Sequence, residues 1–160
     1  MPSISDSRPS KGRVSPSYKD CRPATPQASR VKQRNRKKDT GAELALRREL
    51  WKRGLRYRLH AEHLAGKPDI FFPKRKVAIF VDGDFWHGRD WAARKEKLSK
   101  GANADYWMRK ISYNRERDRK NDAQLARTGW LVARFWETDV KKDVGYCADR
   151  IASLLADTRG

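Results

Sequence analysis

The sequence predicts an α/β domain, a mixed four-stranded sheet flanked by helices in the order α β β β α β α. Three observations carry that prediction. Short runs at 55–60, 70–72, 76–81 and 130–136 either alternate or are almost wholly apolar, with turn residues between them. A charged stretch with a helical apolar rhythm separates the third run from the fourth and is long enough to cross the sheet. A capping-box spacing and well-placed glycines open and close the helices.

The elements follow in order. Thr40 and Glu43 have capping-box spacing, and Leu44, Leu46, Leu50 and Trp51 continue a helix that should stop near Gly54. Leu55 to His60 alternates like a half-buried strand. Gly66-Lys-Pro-Asp69 turns into Ile70-Phe-Phe72, and Pro73 to Lys76 turns back into a fully buried strand that stops at Asp82-Gly83. The segment 83–102 holds glycines, charges and a short helix from Trp91 to Leu98. Asn103 is placed to cap a long helix running to about Arg127, closed by Gly129. Trp130 to Trp136 supplies the last strand, and Asp143 to Ala156 a terminal amphipathic helix. Polar side chains at the ends of adjacent central strands then converge on one point.

Composition limits what such a domain can do. The 160 residues suit a single domain with a tail. No run approaches the roughly 20 apolar residues a membrane-spanning helix needs, and no signal-peptide stretch opens the chain. Cys21 and Cys147 are too few for a disulfide framework or a four-thiolate zinc site. These features predict a cytoplasmic protein. Thirty-eight Lys and Arg against twenty Asp and Glu give a net charge of +18, which calls for a polyanionic partner. Residues 1–40 supply +8 of it from a Ser- and Pro-rich stretch with few large apolar side chains. Residues 1–38 are therefore expected to be a basic, largely disordered arm, and residues 39–160 the folded domain.

Several side chains in that domain suit chemistry. Pro68-Asp69 is followed thirteen residues later by Asp82, each acid at a strand terminus among apolar neighbours. On neighbouring strands the two carboxylates would reach one hard cation, such as Mg²⁺; alternatively each only starts or ends a turn. Phe85-Trp86 stands in a loop beside glycines and charges, which suits rings that wedge between bases or fold under the loop. His87 follows as a general base or phosphate donor, or as a structural histidine. Glu43 caps its helix, and a carboxylate there also leans toward the sheet. In the long helix Asn114 and Asp118 interrupt the apolar stripe, so they are paired or border a wet site. Lys110 and Arg117 lie on its basic outer face, suited to phosphates.

Together these residues make the chain resemble the very-short-patch repair (Vsr) DNA mismatch endonucleases. Four stretches carry the resemblance: Asp39-Thr40 with Glu43; Leu55 to His60 leading to Gly66-Lys-Pro-Asp69; Val81-Asp-Gly-Asp-Phe-Trp-His87; and Tyr106-Trp107 through Lys110, Asn114 and Asp118 to Phe135-Trp136-Glu137. The resemblance implies a restriction-endonuclease-like (PD-(D/E)XK-type) core and a Mg²⁺-dependent enzyme that nicks one strand beside the thymine of a T:G mismatch left by deaminated 5-methylcytosine. It implies Asp69 and the carbonyl of Val81 as metal ligands, and His87, Glu43 and Asp82 as further active-site groups, with Asp82 at a variable position. Phe85 and Trp86 match the aromatic wedge, while Lys110, Asn114 and Arg117 fall to DNA binding.

Two departures accompany the match. Many relatives bind a structural zinc where this chain has Asp84, Arg89, Trp91 and Thr138, so no zinc is expected. The loop 84–102 is expected to be held by packing of Trp91 and Leu98 and by charge pairs. Lys32 stands where relatives often insert a methionine from the arm. The implied setting is a monomer near the nucleoid that acts on double-stranded DNA, alongside a cytosine-5 DNA methyltransferase and mismatch-repair proteins. Two other readings compete: a nuclease of the same core in a restriction or recombination system, indifferent to T:G, and a non-catalytic nucleic-acid-binding module.

Overall fold

The computed structural model describes residues 15–16 and 39–159. Helix α1 (Gly41–Lys52) starts where the capping box places it. Thr40 Oγ1 accepts the Glu43 N–H at 3.3 Å, and Glu43 Oε2 accepts the Asp39 N–H at 3.0 Å. Strands β1 (Ile70–Phe72) and β2 (Val77–Asp82) form an antiparallel hairpin with Ile70 opposite Ile79. Helices α2 (Trp91–Ser99) and α3 (Ala104–Arg127) then carry the chain to β3 (Leu131–Trp136). That strand pairs parallel with β2, from Val77 opposite Leu131 to Asp82 opposite Trp136. Helices α4 (Glu137–Lys142) and α5 (Val144–Asp157) end the fold. Among the described residues no helix is long and apolar enough to cross a membrane.

The sheet among the described residues has three strands, β1-β2-β3, not four. The segment 55–60 keeps its expected alternation: Leu55, Tyr57 and Leu59 pack on the core while Arg56, Arg58 and His60 face out. It forms one bridge only, in which Arg58 and Phe71 exchange backbone hydrogen bonds at 2.8 and 3.0 Å. Beyond it His60 takes a φ of 62° and turns the chain away from the sheet. Alternation therefore predicted the buried face but not the ladder. The element order is α β β α α β α α, with α4 following β3 without a loop.

Being central, β2 is buried on both faces. Val77 and Ile79 join the main core with Leu46, Leu50, Val140 and Ile151 from α1, α4 and α5. Ala78 and Phe80 meet Leu125 of α3 in a smaller cluster on the opposite face. The sheet is thus sandwiched, and the carboxyl end of β2 opens where α1, α3 and the 83–90 loop meet.

Candidate active site

The hairpin places Asp69 beside the end of β2. Its Oδ2 accepts the Val81 N–H at 2.7 Å, and its own N–H donates to the Ile79 carbonyl at 3.0 Å. Asp69 and Glu43, with Asp39, Arg47 and His60, line a small open cleft. Burial raises the Asp69 pKa to about 7 against the Val81 hydrogen bond, and the charges of Glu43 and Asp82 push the same way. Glu43 is only 3% exposed, and burial raises its pKa too, although the Asp39 N–H and Arg47 oppose the shift. Arg47 Nη2, 3.2 Å from Glu43 Oε2, partly offsets the Glu43 charge, whereas Asp69 feels Arg47 only at a distance, without a direct ion pair.

Asp82, also buried, has cations in direct contact. Arg134, projecting from β3, places Nη1 at 3.0 and 2.9 Å from the two Asp82 oxygens. Its Nε and Nη2 bind Asp122 of α3, and its Cζ lies 4.1 Å from the centroid of the Phe80 ring. Burial works against the Arg134 charge, but Asp122 and Asp82 outweigh it and raise its pKa. His87 Nδ1 lies 2.5 Å from Asp118 Oδ2 and 3.7 Å from Asp82 Oδ1. Burial pushes the Asp118 carboxyl up, yet His87, Arg134 and Arg117 together hold it below the ordinary range. Asp82 stays raised by burial in spite of His87 and Arg134. Asp82, His87 and Asp118 bring donor atoms within 4.8 Å of one another, a spacing open to a metal. Their protein partners already satisfy much of that capacity.

The loop after β2 carries the rings. Phe85, Trp86 and Trp107 form a triangle with centroids 5.2 to 5.6 Å apart, and Tyr106 packs on Trp107 at 5.0 Å. Buried Asn114 fixes the loop to α3 by donating to the Trp86 carbonyl at 2.8 Å. Gly88, at φ 68°, lets the loop lie against α3, because a Cβ there would meet Ile111 Cγ2 at 2.8 Å.

Glu43, Asp69, Val81, Asp82 and His87 thus gather around the end of β2, with Phe85 and Trp86 on the adjoining loop. Lys110 and Arg117 lie on α3, where Lys110 meets the Ser15 hydroxyl and Arg117 Nη2 lies 3.3 Å from Asp118 Oδ1. Lys32 and the rest of the basic arm fall outside the described residues, apart from Ser15 and Pro16. Sequence reasoning missed Trp107 as a third ring, Asp118 as the partner of His87, and Arg134 as the counter-ion of Asp82. The last had a signal: an arginine amid the apolar Leu131–Trp136 run needs a buried partner.

Known proteins share much of this sequence. The family model for DNA mismatch endonuclease Vsr matches residues 23–93. The type II nicking enzyme V.NmeDIP of Neisseria meningitidis serogroup C is 44% identical over 84% of this chain and 89% of its own. The chain belongs to the Vsr family. The type II nicking enzyme V.HpaIIP of Haemophilus parainfluenzae is 43% identical over 71% of this chain and 79% of its own. DNA mismatch endonuclease Vsr of Escherichia coli K12 is 33% identical over 62% of each. As a Vsr-family protein the chain is a DNA endonuclease, which removes the non-catalytic reading. The family match contains Glu43, Asp69, Asp82, Phe85, Trp86 and His87, whereas α3 and β3 with Trp107, Asp118 and Arg134 lie beyond it.

Proposed function

We propose that this Vsr-family endonuclease nicks one strand of duplex DNA beside the thymine of a T:G mismatch, using Mg²⁺. The observation that carries the reading is the His87–Asp118 pair beside the under-compensated Asp69, with three rings on the adjoining loop and helix. The cleft chemistry fits a hard cation: two carboxylates face it, burial penalises their charge, and carboxylate and carbonyl oxygens suit Mg²⁺. Asp69 and the Val81 carbonyl would hold the ion, with Glu43 nearby. When bound, Mg²⁺ supplies Lewis-acid stabilisation of the charge that develops on the phosphate.

The chain's own residues do the rest. Asp118 takes the Nδ1–H of His87, which leaves the Nε2 lone pair to accept a proton from the attacking water. In-line attack on phosphorus then breaks the bond to the 3′ oxygen and leaves a 5′-phosphate on the nicked strand. Phe85, Trp86 and Trp107 present ring faces to the opened mismatch step, where stacking offsets the cost of unstacking. Lys110 and Arg117 hold flanking phosphates, and the basic arm adds to that grip. Deamination of 5-methylcytosine opposite guanine yields this substrate, which ties the enzyme to a cytosine-5 DNA methyltransferase.

The test compares nicking of a T:G duplex with its T:A twin in Mg²⁺. Strong preference for T:G is expected. Equal nicking of both would favour a nuclease of this core that serves a restriction or recombination system.

A further inference from the structure

The 83–90 loop carries the ring pair and His87, yet α2 beyond it buries no residue. Trp91 and Leu98 are half-buried, so packing alone is a weak hold on the loop. Besides the Asn114 tie to α3, a polar cluster fastens the loop to α4. Arg89 Nη1 donates to Asp84 Oδ2 at 3.1 Å, Thr138 Oγ1 at 2.8 Å and Asp139 Oδ1 at 2.9 Å. Asp84 Oδ1 accepts the Thr138 N–H at 3.2 Å, and Oδ2 accepts the Thr138 hydroxyl.

That N–H belongs to the first turn of α4, whose N-cap residue Trp136 offers no side-chain cap. Asp84 therefore caps a helix 54 residues away in sequence. Burial pushes the Asp84 carboxyl up, but Thr138 and Arg89 outweigh it and hold it below its ordinary range. These contacts join three of the four positions matched to zinc ligands in relatives. The set does not fit zinc, because the Arg89 guanidinium and the Trp91 indole offer no lone pair to a metal. A guanidinium charge holds the junction instead.

We propose that Arg89 is a positioning residue. It clasps Asp84 to the start of α4 and thereby sets Phe85 and Trp86 for recognition, so T:G discrimination in this chain depends on an ion-pair latch and not on a metal. The proposal rests on the T:G reading above, and the experiment separates the two.

The full chain and its Arg89→Met and Arg89→Lys variants are compared by amide hydrogen exchange without DNA and by nicking of T:G and T:A duplexes. Arg89→Met should speed exchange across 84–90 and the first turn of α4 by roughly tenfold, as loss of charge-assisted hydrogen bonds worth about 1.4 kcal/mol requires. It should lower T:G kcat/KM to a similar extent while leaving T:A binding unchanged. Arg89→Lys should recover part of both effects. Raising salt from about 50 to about 500 mM should loosen the loop in the wild type more than in Arg89→Met.

If Arg89→Met fails to fold, Asp84→Asn keeps an acceptor for the Thr138 N–H and removes the ion pair; it should still loosen the loop by a few-fold. Unchanged loop exchange and an unchanged T:G rate in Arg89→Met, or stoichiometric zinc in the purified wild type, would overturn the latch. A wild type that nicks T:G and T:A equally would overturn the T:G reading, while the exchange data still judge the latch.

Discussion

Asp69 and Asp82 look equivalent along the chain, each a buried acid at a strand end, and the fold makes them opposites. Asp69 receives one backbone N–H and faces Glu43 across the cleft, so its proton leaves only near pH 7. Asp82 has both oxygens on Arg134 and His87 at 3.7 Å. One acid feels Arg47 only at a distance, and the other holds Arg134 in direct contact. On the proposed reading, burial alone does not mark a metal ligand, and the count of directly bonded cations separates the two acids. On this account Asp69 awaits the ion, and Asp82 anchors Arg134 and the edge of the His87 site.

The largest expected effect breaks the comparison on the Asp69 side. Asp69→Ala should lower Mg²⁺-supported nicking by roughly a thousandfold or more while DNA binding, read by gel shift, stays within about twofold. Next comes the proton path. Asp118→Ala should reduce kcat by about a hundredfold with little change in KM, because His87 loses the partner that orients it.

On the Asp82 side the effect falls on stability. Arg134→Met removes the direct ion-pair partner of the buried Asp82 carboxylate and should cost about 2–3 kcal/mol in denaturant unfolding. Adding Asp82→Asn to that variant should recover much of the loss, a non-additivity that shows the two groups act as a unit.

Titration sharpens the contrast in the metal-free chain. The folded-state pKa of Asp69, about 7, lies above its ordinary 3.8, so the folded form keeps a proton that the unfolded chain has lost. Its contribution to stability therefore falls as pH rises from about 4 to about 7 and then levels off. Asp69→Asn should remove this decline and stabilise the metal-free chain at pH 8 by on the order of 2 kcal/mol while abolishing nicking. The smallest effect belongs to the outer basic face. Arg117→Ala should weaken DNA binding by a few-fold and reduce the salt slope by about one.

What the sequence showed and hid divides along locality. The cap at Thr40, the buried β2 and the long α3 were legible because caps, apolar runs and helical periods are local patterns. Glu43, Asp69 and His87 were legible as candidates because acids and histidine among apolar residues stand out. The 55–60 strand failed because alternation reports a buried face and not a hydrogen-bonded neighbour, and His60 turns the chain away after one bridge. Helix α4 was missed because its N-terminal cap comes from Asp84, in a distant loop. Trp107, Asp118 and Arg134 took their roles only when α3 and β3 closed on the end of β2.

The most direct test of the contrast is a Mn²⁺ titration of the DNA-free chain, followed by paramagnetic broadening of amide signals, in the wild type, Asp69→Asn and Asp82→Asn. The account predicts saturable broadening around Asp69 and Val81 that vanishes in Asp69→Asn and persists with an affinity within about threefold in Asp82→Asn. Broadening that survives Asp69→Asn and is lost in Asp82→Asn would contradict it.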